Sequence, residues 1–137
     1  MITEAQVRRM IGLARQGRRK AHSTHRPKQI KVGAAVLTAS GRVYTGCNIS
    51  NRSSTLGMCA ERVALYSAVA AGHKRFKALV VVGGGATPWP PCGACREVLN
   101  EFDRDGKLEV IFTDSSGRKV ERAHLRDLYP MPFTPLE

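Results

Sequence analysis

No stretch of this sequence stays apolar for the roughly 18 residues that a membrane span needs, and Met1 to Met10 carries Glu4, Arg8 and Arg9 where a secretory signal needs an apolar core. The expected location is therefore the cytoplasm, with no membrane as partner. Cysteine is scarce as well: Cys47, Cys59, Cys92 and Cys95 make up the whole set, and the last two are separated only by Gly93 and Ala94. In a reducing compartment that spacing favours metal or redox chemistry over a disulfide framework. Acidic residues number 11 against 22 basic ones, a net charge of +11. Such an excess would suit nucleic acid, but the basic cluster between Arg8 and Lys31 contains no Phe, Tyr or Trp on which a base could stack. A solvated helix face and the loop after it account for the cluster more simply, so nucleic acid is not an expected partner. The run Gly83-Gly84-Gly85 lacks the Gly-Lys-Ser/Thr ending of a phosphate loop. Internal repeats, low-complexity segments and interdomain linkers are also missing, and 137 residues suffice for one domain, 1–137, with its own core.

What is present reads as alternating helices and strands. From Thr3 to about Lys20, Val7, Met10, Ile11 and Ala14 recur at helical spacing, with Thr3 as a plausible N-cap. Gly12 and Gly17 weaken this helix by about 1 kcal/mol each relative to alanine, so packing must hold it. A polar loop is expected over His22–Gln29. Val32–Thr38 and Arg42–Asn48 form a hairpin around Ala39-Ser40-Gly41, followed by a loop rich in turn formers. Met58 to Gly72 is apolar on most sides and predicts a buried central helix stopped by Gly72. Ala78–Val82 predicts an inner strand, and Pro88, Pro90 and Pro91 mark a loop. Ala94–Phe102 reads as a helix, Leu108–Thr113 as a strand, and Glu121–Asp127 as a short helix before a proline-broken tail. The alternation argues for a three-layer α/β/α sandwich.

Two short segments carry the chemistry. Cys59-Ala60-Glu61 opens the buried helix, and Pro91-Cys92-Gly93-Ala94-Cys95 opens the next one. A helix N-terminus lowers the pKa of a thiol and so favours metal ligation. Three thiolates fit a catalytic zinc, which keeps three protein ligands and one water, whereas a structural zinc site has four. Cys47 is a conceivable fourth ligand, but its place within a strand favours a buried spectator thiol. Glu61 lies two residues past Cys59. In the looser first turn both can reach one pocket, which sets Glu61 beside the metal's water as general base and acid. The plain alternative is a first-turn glutamate favoured by the helix dipole. Zinc with three thiolates is net negative, which weakens its acidification of water. Arg62 could draw charge from the sulfurs, the alternative being an ordinary surface arginine.

Cys-x-Glu followed by Pro-Cys-x-x-Cys is the signature of zinc nucleobase deaminases, with cysteine where histidine often stands. More closely, the sequence resembles the small homotetrameric cytidine deaminases through Val32-Gly33-Ala34-Ala35, Gly46-Cys47-Asn48-Ile49, Cys59-Ala60-Glu61-Arg62 and Pro91-Cys92-Gly93-Ala94-Cys95-Arg96. The resemblance implies a mixed five-stranded sheet, Zn2+ on Cys59, Cys92 and Cys95, and Glu61 as the proton shuttle of cytidine or deoxycytidine deamination. It also implies a free nucleoside substrate, contacted by Asn48 at the sugar and in the neighbourhood of Ser50 and Ala60. Phe133, in Tyr129-Pro130-Met131-Pro132-Phe133, matches a ring that stacks on the base in a neighbouring subunit, so the implied partner is a second copy of the chain in a tetramer with shared sites. For Phe133 plain tail packing is the alternative. Three departures stand out: Ser50 replaces a glutamate that grips the ribose, Ile30 a phenylalanine, and Glu97 a common glutamine. Loss of the charged contact at Ser50 is worth about 1.5–3 kcal/mol of recognition. Blasticidin-S deaminase also lacks that glutamate, which leaves blasticidin S or a modified cytosine nucleoside as the alternative substrate. A nucleic-acid-acting deaminase and a structural zinc module with four protein ligands are the remaining alternatives.

Overall fold

The computed structural model describes residues 1–23 and 30–135. The larger part of the loop expected over His22–Gln29 thus lies outside the described residues. The sequence orders its elements as α1 (Glu4–Arg18), β1 (Gly33–Thr38), β2 (Val43–Cys47), a 3-10 turn (Ser54–Leu56), α2 (Ala60–Ala70), β3 (Phe76–Val82), α3 (Gly93–Glu101), β4 (Glu109–Thr113), β5 (Val120–His124) and α4 (Leu125–Leu128). One mixed sheet of five strands runs in the order β2-β1-β3-β4-β5. Only the β3–β4 pair is parallel, because α3 carries the chain back across one face between them. The result is the expected three-layer α/β/α sandwich.

The alternation of side chains along the strands divides the interior into two cores. Ala35, Leu37, Val80, Val82 and Ile111 face α1 and bury its Val7, Met10 and Ala14. Ala34, Val36, Leu79, Val81 and Val110 face the other way, against α2 and α3. Each fully buried Val or Leu contributes about 1.5–3 kcal/mol relative to exposure, so the continuous apolar run of β3 requires cover on both faces. α1 begins with a reciprocal cap: the Thr3 hydroxyl accepts from Gln6 N at 3.1 Å, and Gln6 Oε1 accepts from Thr3 N at 2.8 Å.

Two glycines fix how closely the helices approach the sheet. A methyl group on Gly33 would collide with the backbone of α1 at Ala14 O and Arg18 N, and one on Gly46 would meet Ala60 O of α2 at 2.6 Å and also its Ala64 N. Gly46 pairs with Ala34 and Gly33 with Cys47 in the β1–β2 ladder, so the two contacts fall on opposite faces of neighbouring strands. Gly46 thereby seats the first turn of α2 directly on the sheet. At the other end of α2, Gly72 adopts φ +101°, as the expected helix stop requires.

The expectation of a short helix over Glu121–Asp127 is corrected. Val120–His124 is an edge strand antiparallel to β4, and only Leu125–Leu128 is helical. The cause is the turn Asp114-Ser115-Ser116-Gly117. The Asp114 carboxylate accepts from Arg118 N at 3.0 Å and Lys119 N at 3.1 Å, while Gly117 takes φ +77°. This is a hairpin device. No helix among the described residues is long and apolar enough to cross a membrane.

The two kinds of glycine predict opposite outcomes. Gly12 is exposed within α1 with open space around its Cα, so Gly12→Ala should raise stability by about 0.5–1 kcal/mol. Gly46→Ala should lower it by about 1–3 kcal/mol or more, since the collision is with backbone. Urea unfolding midpoints decide both, and a neutral Gly46→Ala would contradict the close approach.

Candidate active site

α2 and α3 start side by side on the same face of the sheet. Cys59 is the N-cap residue of α2, Cys92 that of α3, and Cys95 lies in the first turn of α3. Neither N-cap thiol makes a capping hydrogen bond, so the first-turn amides of both helices are free to act on the sulfurs through their partial positive charge. The sulfurs of Cys59, Cys92 and Cys95 lie within 4.8 Å of one another, and the Cys59–Cys92 pair is 3.9 Å apart. A disulfide needs about 2.05 Å between sulfurs. Two thiolates about 2.3 Å from one tetrahedral zinc are separated by about 3.8 Å, so the donor set fits zinc in both spacing and softness.

The electrostatics favour ionised sulfur. Donation from Cys95 brings the Cys59 pKa down to about 5, against the effect of burial, and the Arg62 guanidinium assists. The same bond, together with burial, raises the pKa of Cys95, so the two thiols act as one proton-sharing pair in the absence of metal. Arg62 Nη2 lies 3.5 Å from Cys59 Sγ, and its Nε is buried with no hydrogen-bond partner among the described residues. Arg62 is thus a sulfur-facing group rather than an ordinary surface arginine. Cys47 stands in β2 outside the cluster and is half-buried, less covered than expected of it.

Glu61 is 6% exposed, and burial raises its pKa, with the Cys59 thiolate adding to the effect. It shares a pocket of about 180 Å³ with Cys59, Cys92, Ala60 and Asn48. A second pocket of about 270 Å³ continues from Asn48 and Cys59 toward Ser50, Asn51, Ser54 and Arg62. Among the described residues no carboxylate lines this second space, so Ser50 stands on a polar wall whose one charged side chain is Arg62. Asn48 is tied to the backbone: its Oδ1 accepts from Val32 N at 2.7 Å and its Nδ2 donates to Ile30 O at 2.9 Å. One donor and one acceptor position remain on the amide for a ligand. Phe133 is 73% exposed on the tail and lines neither pocket of its own chain. Glu97 accepts the hydroxyl proton of Tyr129, so that departure has a bracing partner at the start of the tail.

The sequence reading named none of Trp89, Val32, Val81, Gly83 and Pro90 as a site residue, and all of them line the first pocket. Trp89 had a signal available, since a large aromatic inside a proline loop three residues before a metal ligand is seldom idle.

Three protein donors leave the fourth position of a tetrahedral zinc open, and a buried carboxylate stands at the same pocket, which defines the class as a zinc-dependent hydrolase of the deaminase kind. The family model for the cytidine and deoxycytidylate deaminase zinc-binding region matches residues 5–111. A cytidine deaminase from Sporosarcina psychrophila is 38% identical over 128 residues, covering 93% of this chain and 91% of that protein. The crystal structure of a cytidine deaminase from Burkholderia pseudomallei superposes with a TM-score of 0.85 at 40% identity, covering 96% of this chain and 100% of that one. A blasticidin-S deaminase from Bacillus cereus is more distant, 28% identical over 111 residues, 75% of this chain and 76% of that protein. The chain belongs to the cytidine and deoxycytidylate deaminase family.

Metal analysis separates the cysteines. Purified wild type should carry one zinc per chain, Cys95→Ser should emerge metal-poor, and Cys47→Ser should keep its full zinc content. Loss of zinc from Cys47→Ser alone would overturn the assignment of the cluster.

Proposed function

We infer that this chain hydrolyses cytidine or deoxycytidine at C4, replacing the exocyclic amine with oxygen to give the uridine-type product and ammonia. One observation carries the reading: Glu61, buried, opens onto the same pocket as Cys59 and Cys92 of the sulfur cluster. Cys59, Cys92 and Cys95 would hold zinc, which supplies the Lewis acidity that makes water nucleophilic near neutral pH. The remaining work falls to the chain's own groups. Glu61 accepts the proton from the attacking water, passes it to N3 of the pyrimidine, and then conveys a proton to the departing amine. The C4–N bond breaks as the C4–O bond becomes a carbonyl, so water is consumed and ammonia released. Arg62, beside Cys59, withdraws charge from the sulfur donors and keeps the metal acidic. Ala60, fully buried beneath the pocket, leaves room for the ring.

The sugar is placed toward the second pocket, where Asn48 offers its remaining amide donor and acceptor and Ser50 offers a hydroxyl. The absence of a carboxylate among the residues lining that pocket favours blasticidin S or a modified cytosine nucleoside as the second reading. The proposal includes residues 1–137 acting as one domain, in the cytoplasm, as a homotetramer in which Phe133 serves a neighbouring copy's site. The exposure of Phe133, a large apolar ring on the tail, supports that last part. A role in pyrimidine salvage accompanies the free-nucleoside substrate.

Glu61→Gln should retain zinc and lose about 10²–10⁴-fold in kcat, and a fully active variant would remove the role assigned to Glu61. Ammonia release across cytidine, deoxycytidine, blasticidin S and cytosine-containing oligonucleotides identifies the substrate, with turnover expected on the first two. Restoring the missing carboxylate by Ser50→Glu should lower KM for cytidine by about 10–100-fold. An unchanged KM would show that the sugar does not reach Ser50.

A further inference from the structure

The run Gly83-Gly84-Gly85 begins where β3 ends, and its three glycines share one neighbour. A methyl group on Gly85 would stand 2.6 Å from Cζ2 of Trp89 and 3.1 Å from its Cε2. On Gly84 it would stand 3.4 Å from Cζ3 and 2.7 Å from Ile30 Cγ2, and on Gly83, 3.7 Å from Cδ2. The six-membered ring of the indole therefore lies along the backbone of all three residues, at a separation that at Gly85 only glycine permits. The bed is itself anchored. Gly83 N donates to Thr113 O at 3.1 Å, and Ser115 N donates to Gly85 O at 2.9 Å. Behind the indole, Pro88, Pro90 and Pro91 restrict the loop, and Arg96 Nε holds Pro91 O at 2.7 Å.

A ring this firmly seated is nevertheless 40% exposed, and it lines the pocket that holds Glu61, Cys59 and Cys92. Among the residues lining that pocket it is the one aromatic side chain. Ile30, which stands where relatives were expected to carry phenylalanine, reaches Gly84 beside it but offers only an aliphatic surface. An apolar surface held rigid and partly uncovered has its ordering entropy already spent, so a flat ligand covering it gains the contact without that cost.

Resting on the deaminase reading, we propose that Trp89 is a substrate-contacting residue: its indole, fixed on the triglycine bed, is the wall against which the pyrimidine ring packs while C4 is presented to the zinc site. The contact is made equally in ground and transition states, so it acts on KM rather than kcat.

Trp89 is the single tryptophan of the chain, which makes its fluorescence a direct reporter. Zinc-loaded Glu61→Gln protein, titrated with cytidine, should show a saturable change in tryptophan emission whose midpoint equals the Kd from calorimetry. In the otherwise native enzyme, Trp89→Ala should raise KM for cytidine about 10–100-fold with kcat held within about threefold, and Trp89→Phe should stay close to wild type. Zinc content and melting temperature are measured alongside. Gly85→Val, which keeps the tryptophan but displaces it from its bed, should shift the emission of the free protein and raise KM in the same direction. Unchanged emission while calorimetry shows saturation, or an unchanged KM in Trp89→Ala, overturns the contact and leaves deamination standing. A wild type that binds none of cytidine, deoxycytidine and blasticidin S and releases ammonia from none of them overturns the deaminase reading and this proposal with it.

Discussion

Three sulfur atoms can meet only if two helix N-termini are held side by side, and the rest of the molecule serves that constraint. Helix N-termini repel one another through their partial positive charges, so their juxtaposition is unfavourable without anionic sulfur, and metal, between them. The sheet supplies the rigid floor. Gly46 admits the first turn of α2 onto β2, and β3 delivers the proline loop that ends at Cys92. Donation from Cys95, helped by Arg62, lowers the Cys59 pKa, while burial raises that of Glu61 and the neighbouring thiolate adds to the effect. Metal affinity and proton transfer are two consequences of a single arrangement.

Around this centre the backbone is braced from several sides. Asn48 ties the segment at Ile30–Val32, and Arg96 bridges from α3 to Pro91 O and to Leu128 O at 2.7 Å. That bridge connects the loop bearing Cys92 to the start of the tail that carries Phe133. Ser50, Ile30 and Glu97, the three departures read from the sequence, each have a distinct setting here. Ser50 lines the second pocket with a hydroxyl, Ile30 lies beside the indole, and Glu97 receives Tyr129.

Much of this was legible in the sequence because it depends on short spacing. Thr3 and the Val7, Met10, Ala14 stripe fixed α1, and the runs of β1 and β3 announced strands through continuous apolar character. The metal ligands were legible since each lies at the start of a helix, where loop and helix signals coincide. The edge strand β5 was not, because its half-exposed Val120-Glu121-Arg122-Ala123-His124 carries no clear alternation, and the deciding signal sat upstream in Asp114–Gly117. Gly33 and Gly46 looked like ordinary strand glycines, since their role depends on which helix lands on them. The triglycine run remained unexplained until the indole of Trp89 was found on it.

The coordination of the metal decides the matter most directly. Zinc K-edge X-ray absorption on the purified holoenzyme should show three sulfur neighbours at about 2.3 Å and one lighter oxygen-type neighbour at about 2.0 Å. A shell of four sulfurs, or one completed by a histidine nitrogen, would contradict an open catalytic position and with it the chemistry assigned to Glu61.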